Sequence, residues 1–301
     1  MSIQRLIRNF SDYLSIQKHR SSHTIKSYVY DINQFFSITK ATSVLAVNEQ
    51  DTHHYLKHLN ALNINNRSIH RKMSALDQFW RYIVKENIAP SNPWAMIRRP
   101  KLNTRLPVYL EEHAMLELLN KYPINTPIFC RNKAMLELLF SSGIRLSELI
   151  KIRLDAINLT HMECRVLGKG DKERLVIFGQ RANNSIQYYL DHVRPLWNKT
   201  TDDTLFISTR GAPLSGRSVQ RIVKHANQYH SSTIELTPHT CRHTCATLLQ
   251  SHGAGIRDIQ ELLGHSSIST TQRYAHIPNK TLSKRFLHAM PDPESNQATN
   301  T

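Results

Sequence analysis

The sequence predicts a mostly helical protein with a small β component, in which an all-helical first domain is joined to an α+β second domain. Apolar residues recur at helical spacing through the first hundred positions. A stretch rich in proline and arginine then breaks the pattern, and beyond it two short runs of strand-forming residues stand among helical ones. With 301 residues and 40% hydrophobic content, the chain is long enough for two cores.

In the first half, Ile25, Tyr28, Val29, Ile32, Phe35 and Phe36 form one helical stripe, and Ile69, Met73, Leu76, Trp80 and Ile83 form another. Both are core faces. Lys plus Arg outnumber Asp plus Glu by 39 to 23, a net charge of +16, and such a surplus points to a polyanionic partner, nucleic acid first. Solubility alone or an anionic lipid surface are the weaker readings. Against that background Arg67, Arg71 and Lys72, on the opposite face of the second stripe, form a candidate line along a phosphate backbone rather than a merely solvated face.

Pro90, Asn92 and Pro93 open the punctuated stretch, which runs on through Arg98-Arg99-Pro100-Lys101-Leu102-Asn103-Thr104-Arg105-Leu106-Pro107. Proline biases it toward extended structure, and Arg98, Arg99, Lys101 and Arg105 suit a tether crossing a duplex. The expected division is a helical domain over 1–97, a basic linker over 98–107, a second domain over 108–290 and a disordered tail over 291–301, where no basic residue occurs. No run of about 18 apolar residues exists. The first residues lack the apolar core of a signal peptide, so a soluble cytoplasmic protein is expected. Cys130, Cys164, Cys241 and Cys245 show no disulfide framework and are expected reduced and mostly buried.

The second domain opens with helical patterns near Glu111–Tyr122 and Arg131–Ser141, the latter capped by Gly143 in a left-handed conformation. Glu163–Leu167 and Glu173–Phe178 read as strands flanking Gly168-Lys169-Gly170-Asp171, which places Lys169 at a hairpin tip. Helices follow to the end. Thr237 is a plausible N-cap with Pro238 at the first helical position, so His239 and Arg242 share a face at the positive end of a helix dipole. That arrangement suits a phosphate. His239 and His243 also have the spacing of a zinc-protease helix, but Thr240 stands where that motif needs Glu, and Cys241 and Cys245 occupy a different face, so no metal site is expected. Ile256, Ile259, Leu262 and Leu263 form a stripe ending at Gly264, a C-cap, with His265 just beyond. Ser269-Thr270-Thr271-Gln272 matches a capping box and puts Tyr274 in the first turns of a short helix.

Arg145 follows the helix-ending Gly143 and on its own reads as a surface residue or a partner for Glu148. Paired with Arg242, it offers two planar forks for one phosphate. Arg145, Lys169, His239, Arg242, His265 and Tyr274 together supply cations, a proton carrier and a nucleophile, the parts needed to cut a phosphodiester without metal or other cofactor.

These residues carry a close resemblance to the Xer-type tyrosine recombinases of the phage integrase family. It runs from about Phe10 to Leu287. In the first half it rests on Tyr28-Val29-Tyr30-Asp31-Ile32 and Arg71-Lys72-Met73-Ser74-Ala75-Leu76. In the second it rests on Gly143-Ile144-Arg145, Gly168-Lys169-Gly170, His239-Thr240-Cys241-Arg242-His243, Leu262-Leu263-Gly264-His265 and Ser269-Thr270-Thr271-Gln272-Arg273-Tyr274. The resemblance implies a C-shaped clamp of a core-binding and a catalytic domain around double-stranded DNA. It implies a nucleophilic Tyr274, Lys169 as general acid, His239 as proton acceptor, and Arg145, Arg242 and His265 as stabilisers of the transition state. It also implies a homo- or hetero-tetramer on two synapsed sites, with a second Xer-type recombinase and a division-septum DNA translocase as candidate partners and no membrane partner. The segment after Pro278, with Leu282, Phe286 and Met290, is the candidate for docking on a neighbouring subunit. Resolution of chromosome or plasmid multimers is the expected role. A mobile-element integrase with the same chemistry and a catalytically silent DNA-binding protein are the alternatives. No additional amino-terminal arm-binding domain is apparent, which favours the first role. The ending His288-Ala289-Met290-Pro291-Asp292 departs from the pattern of chromosome-resolving members.

Overall fold

The computed structural model describes residues 2–101, 108–168, 173–198 and 202–264. The chain divides into two compact units, Met1–Arg105 and Leu106–Thr301.

In the first unit, helices α1 (Ile3–Ile16), α2 (Ser22–Thr39), α3 (Glu49–Ala61) and α4 (Asn66–Lys85) each open on a Ser or Asn side chain that accepts a first-turn N–H. Both predicted stripes face inward: Ile32, Phe35 and Phe36 are buried on α2, as are Ile69, Met73, Leu76, Trp80 and Ile83 on α4. Phe35 sits at the centre. Its ring meets Tyr55, Trp80 and Trp94 edge-on, with centroids 5.2 to 5.6 Å apart, the geometry the aromatic quadrupole favours.

One candidate contact residue is not where the sequence reading put it. Lys72 is buried, and its ammonium donates to Asp31 Oδ1 at 2.9 Å and to Gln34 Oε1. Asp31 is fully buried on α2 and also accepts from Arg71. A carboxylate removed from water needs such donors, so Lys72 is held inside by Asp31 rather than turned to a phosphate. Arg67, Arg71, Arg98, Arg99 and Lys101 are exposed, whereas Arg105 lies outside the described residues. Arg99 leans on α4, donating to Ser74 Oγ at 3.1 Å.

The second unit comprises α5 (Glu112–Lys121), α6 (Pro127–Ser142), α7 (Leu146–Leu149), β1 (Ile157–Asn158), β2 (Glu163–Leu167), β3 (Glu173–Ile177), α8 (Gln180–Tyr188), α9 (Arg194–Trp197), α10 (Gly216–Ala226), α11 (Pro238–Ser251) and α12 (Ile256–Leu263). A π-helical turn, Tyr189–Val193, joins α8 to α9. The strands form an antiparallel sheet in the order β1-β2-β3, with Cys164 opposite Val176. The two predicted strands are present; β1, two residues long, has no alternation to announce it. Helix α6 is the axis: every residue from Ala134 to Ser142 is buried, the mark of a helix enclosed on all sides. A smaller cluster of Ile177, Cys245, Leu249, Ile259, Leu262 and Leu263 fastens α12 to α11 and β3. The four cysteines are free and buried, and burial pushes the thiols of Cys164, Cys241 and Cys245 up to about 12.

Gly143 ends α6 with φ +59°, its N–H on Leu139 O. A Cβ there would stand 2.6 Å from Leu263 Cδ2 and 3.1 Å from Cys245 Sγ, so the position needs glycine for backbone and for space.

Two stability predictions follow from these contacts. Lys72→Met, which keeps the apolar stem but strips Asp31 of an ammonium, costs about 3 kcal/mol in urea unfolding, and adding Asp31→Asn recovers most of it. Gly143→Ala combines left-handed strain with overpacking and costs roughly 2 to 4 kcal/mol, a fall in Tm on the order of 4 to 16 °C by calorimetry.

Candidate active site

The start of α11 forms as the sequence predicts. Thr237 Oγ1 accepts from Thr240 N at 3.0 Å, Pro238 takes the first helical position, and His239 and Arg242 follow on one face. His239 Nε2 lies 2.9 Å from His243 Nε2, so one ring donates to the other. Cys241 and Cys245 point the other way into the core, Cys245 Sγ toward Ser141 O.

Arg242 is buried. Its Nη1 donates to Gly143 O at 2.7 Å and its Nη2 to Leu263 O. Burial, and next the charges of Arg145 and Arg174, lower its pKa to about 10, which still leaves it protonated at neutral pH. Arg145 begins α7. Its Nη1 donates to Glu148 Oε1 at 2.8 Å and its Nη2 to Gly264 O at 2.7 Å, while its backbone N–H reaches Glu148 Oε2 at 2.8 Å. Two guanidiniums from elements almost a hundred residues apart in sequence are thus drawn to the end of α12.

Glu148 is 2% exposed and serves two arginines at once. Arg174, from β3, donates to Oε1 at 2.6 Å and Oε2 at 2.9 Å. Burial by itself would raise the Glu148 pKa. The Arg174 hydrogen bonds, the Arg145 backbone N–H and the Arg174 charge outweigh it, and the carboxyl is held below its ordinary range.

Arg145, His239 and Arg242 line one cavity of about 410 Å³, together with Ser147, Thr237 and Gln220. It opens at the N-terminus of α11, whose dipole adds to the positive field. The arrangement is a water-accessible anion cradle: two planar donors fixed by buried contacts, with a histidine beside them. Lys169, His265 and Tyr274 lie outside the described residues, so the structure brings together three of the six predicted catalytic positions. Sequence reasoning missed Arg174, Ser147 and Gln220 altogether, and gave Glu148 only as a local partner for Arg145. It also missed the exposed basic row Arg217, Arg221 and Lys224 on α10, the helix that brings Gln220 to the cavity. The spacing of that row was legible.

Comparison with known proteins identifies the family. The family model described as phage integrase family matches residues 109–280, and that of the phage integrase N-terminal SAM-like domain matches 7–87. The chain is similar to the tyrosine recombinase XerC of Bacillus pumilus, with 35% identity over 96% of this chain and 97% of the relative. The tyrosine recombinase XerC of Anoxybacillus flavithermus is 36% identical over 94% and 96%. In fold it resembles a lambda integrase (75-356) dimer bound to a COC' core site, with a TM-score of 0.70 at 19% identity over 89% of this chain and 96% of that one. It likewise resembles the XerH site-specific recombinase bound to difH substrate, with a TM-score of 0.65 at 20% identity over 91% and 77%. With family models matching residues 7–87 and 109–280 and relatives alike over nearly their full length, the chain belongs to the phage integrase family, among its tyrosine recombinases.

Proposed function

We propose that this tyrosine recombinase performs site-specific recombination by cutting and rejoining duplex DNA through a 3′-phosphotyrosyl intermediate, with resolution of chromosome or plasmid multimers as its role. The observation that carries the chemistry is the convergence of the Arg145 and Arg242 guanidiniums with His239 on one open cavity.

In this reaction the Tyr274 oxygen attacks the scissile phosphorus, and the bond to the 5′ oxygen breaks. A tyrosine with an ordinary pKa near 10 is a weak nucleophile at neutral pH, so its proton must leave as the bond forms. His239 accepts that proton. His243 Nε2, at 2.9 Å, shares one hydrogen with His239 Nε2. Arg145 and Arg242 hold the non-bridging oxygens, where charge grows in the pentacoordinate transition state, and His265 assists them. Lys169 protonates the leaving 5′ oxygen. The freed 5′-hydroxyl then attacks the phosphotyrosine of the partner strand. The phosphodiester energy is conserved in the covalent link, so the chain needs no cofactor for rejoining.

Both domains contact the DNA. Arg67, Arg71, Arg98, Arg99, Lys101 and Arg105 contact it from the first domain and the linker, and Arg217, Arg221 and Lys224 from α10. Phosphate contacts of this kind set affinity and leave sequence to be read elsewhere. Four subunits act on two synapsed sites, either four copies of this chain or a hetero-tetramer with a second Xer-type recombinase, and a septum DNA translocase is the candidate activator. A lambda integrase tetramer bound to a Holliday junction, similar in fold to this chain, supports the fourfold assembly. Among the described residues no helix is long and apolar enough to cross a membrane.

The deciding experiment traps covalent complex on a DNA substrate nicked beside the cleavage point of a candidate site, without divalent metal. The wild type gives a band retarded on a denaturing gel and Tyr274→Phe gives none while binding the same DNA; absence of the wild-type band on a specifically bound site would overturn the reading. In salt titrations of binding, Arg98→Ala lowers the slope of log K against log salt by about one. Lys72→Met, whose charge is spent on Asp31, leaves that slope as it is.

A further inference from the structure

The last three residues that close α12 each give their carbonyl to a different arginine. Leu262 O accepts from Arg174 Nε at 3.3 Å, Leu263 O from Arg242 Nη2, and Gly264 O from Arg145 Nη2 at 2.7 Å. Carbonyls at a helix C-terminus have no partner within the helix and form the negative end of its dipole, so cations gather there. Two of the three arginines line the cavity. Arg174 does not: its side chain is 15% exposed, and its donors are turned to Glu148 and Leu262.

Arg174 matters through what it leaves to Arg145. A carboxylate can take a guanidinium by both oxygens, and that is the geometry an isolated Arg145–Glu148 pair would seek. Here Arg174 takes a position on each oxygen of Glu148. Arg145 keeps one side-chain bond to Oε1 and one to Gly264 O, and among the described residues its other guanidinium N–H groups have no partner and can meet an anion in the cavity. Gly264 closes the assembly from the other side. Its φ is +65°, and a Cβ on it would stand 3.0 Å from both Cδ and Nε of Arg174, so the helix end and the arginine are packed as one piece.

We propose that Arg174 is a positioning residue for strand cleavage: by occupying both oxygens of Glu148 and tying them to the end of α12, it holds Arg145 to a single side-chain bond on that carboxylate and leaves its remaining donors, beside the Arg242 guanidinium, to the scissile phosphate. This rests on the reading above that those two arginines receive that phosphate. A lysine at 174 cannot replace the fork, because a point donor does not span two oxygens.

The test uses the full chain as wild type, Arg174→Gln and Arg174→Lys on the nicked substrate. That substrate is made once with its ordinary scissile phosphate and once with a methylphosphonate there, whose methyl group removes the charge of one non-bridging oxygen. On the phosphate, Arg174→Gln forms covalent complex on the order of a hundredfold more slowly than wild type, with DNA affinity within about twofold. On the methylphosphonate, with less charge for the arginines to meet, the deficit shrinks to about tenfold or less. Arg174→Lys behaves like Arg174→Gln and, by keeping the charge, carries the test if the glutamine variant fails to fold. An equal deficit on both substrates, or full rescue by lysine, would show a role in folding alone and overturn the proposal. A wild type inert on both substrates would instead sink the recombinase reading, and this inference with it.

Discussion

The carboxylate of Glu148 is the contact on which the rest of the site depends. Three guanidiniums, from Arg145, Arg174 and Arg242, would repel one another at the distances seen here, and two of them also lower the pKa of the third. One buried anion between them, together with the carbonyl end of α12, turns that repulsion into a framework. Glu148 is placed by its own sequence, three residues after Arg145 on a helix that Arg145 begins. Arg242 is placed by the cap at Thr237, and α12 by the small apolar cluster around Cys245 and Leu263. Each element is ordinary by itself. Their convergence is a property of the tertiary fold.

The first unit solves the same problem in the same way. A strongly basic chain must keep its cations from unfolding it, and in both units a buried acid takes two of them: Asp31 holds Arg71 and Lys72, and Glu148 holds Arg145 and Arg174. In each case one member of the pair stays open to solvent while the other is enclosed. Arg71 and Arg145 are the open ones, with side chains 42% and 36% exposed, and they are the ones a phosphate can reach. The enclosed partner stiffens the outer one. A surface arginine without such support loses conformational freedom on binding and gives that entropy back as lost affinity.

Much of this was legible in the sequence, and particular residues show where legibility stopped. The stripes of α2 and α4, the Gly143 cap, the strands around Lys169 and the start of α11 are local features, set by residues within a few positions of one another. Lys72 was misread although the signal was there. It stands three residues after Ile69 and four before Leu76, on the buried stripe, and Asp31 stands likewise three after Tyr28 and four before Phe35. Placing the charges on the spacing would have paired them. Arg174 had no such signal: its partners are 26 and 88 residues away, and nothing local separates it from any other arginine in a strand. Strand β1 escaped for a related reason, since two residues cannot show a period.

In the proposed reaction the charge of the cradle favours the transition state over the bound phosphodiester. Among the described residues at its centre, three guanidiniums face one carboxylate, a net of two positive charges. A phosphodiester brings one negative charge. The pentacoordinate transition state of its displacement carries two, spread over the oxygens that Arg145 and Arg242 face in the proposed reaction. Fixed positive charge gains more on the second value than on the first, so its electrostatic advantage falls where the rate is decided. The framework holds only while Glu148 stays ionised, and the depressed pKa of that carboxyl keeps it so throughout the neutral range. Were Glu148 absent, the cradle would be more positive, but Arg145 and Arg174 would lose the anion that fixes their direction. Were Arg174 absent, the net charge would fall by one and Arg145 would turn inward. The fold therefore sets both the number of charges and their direction, and it does so before any DNA arrives.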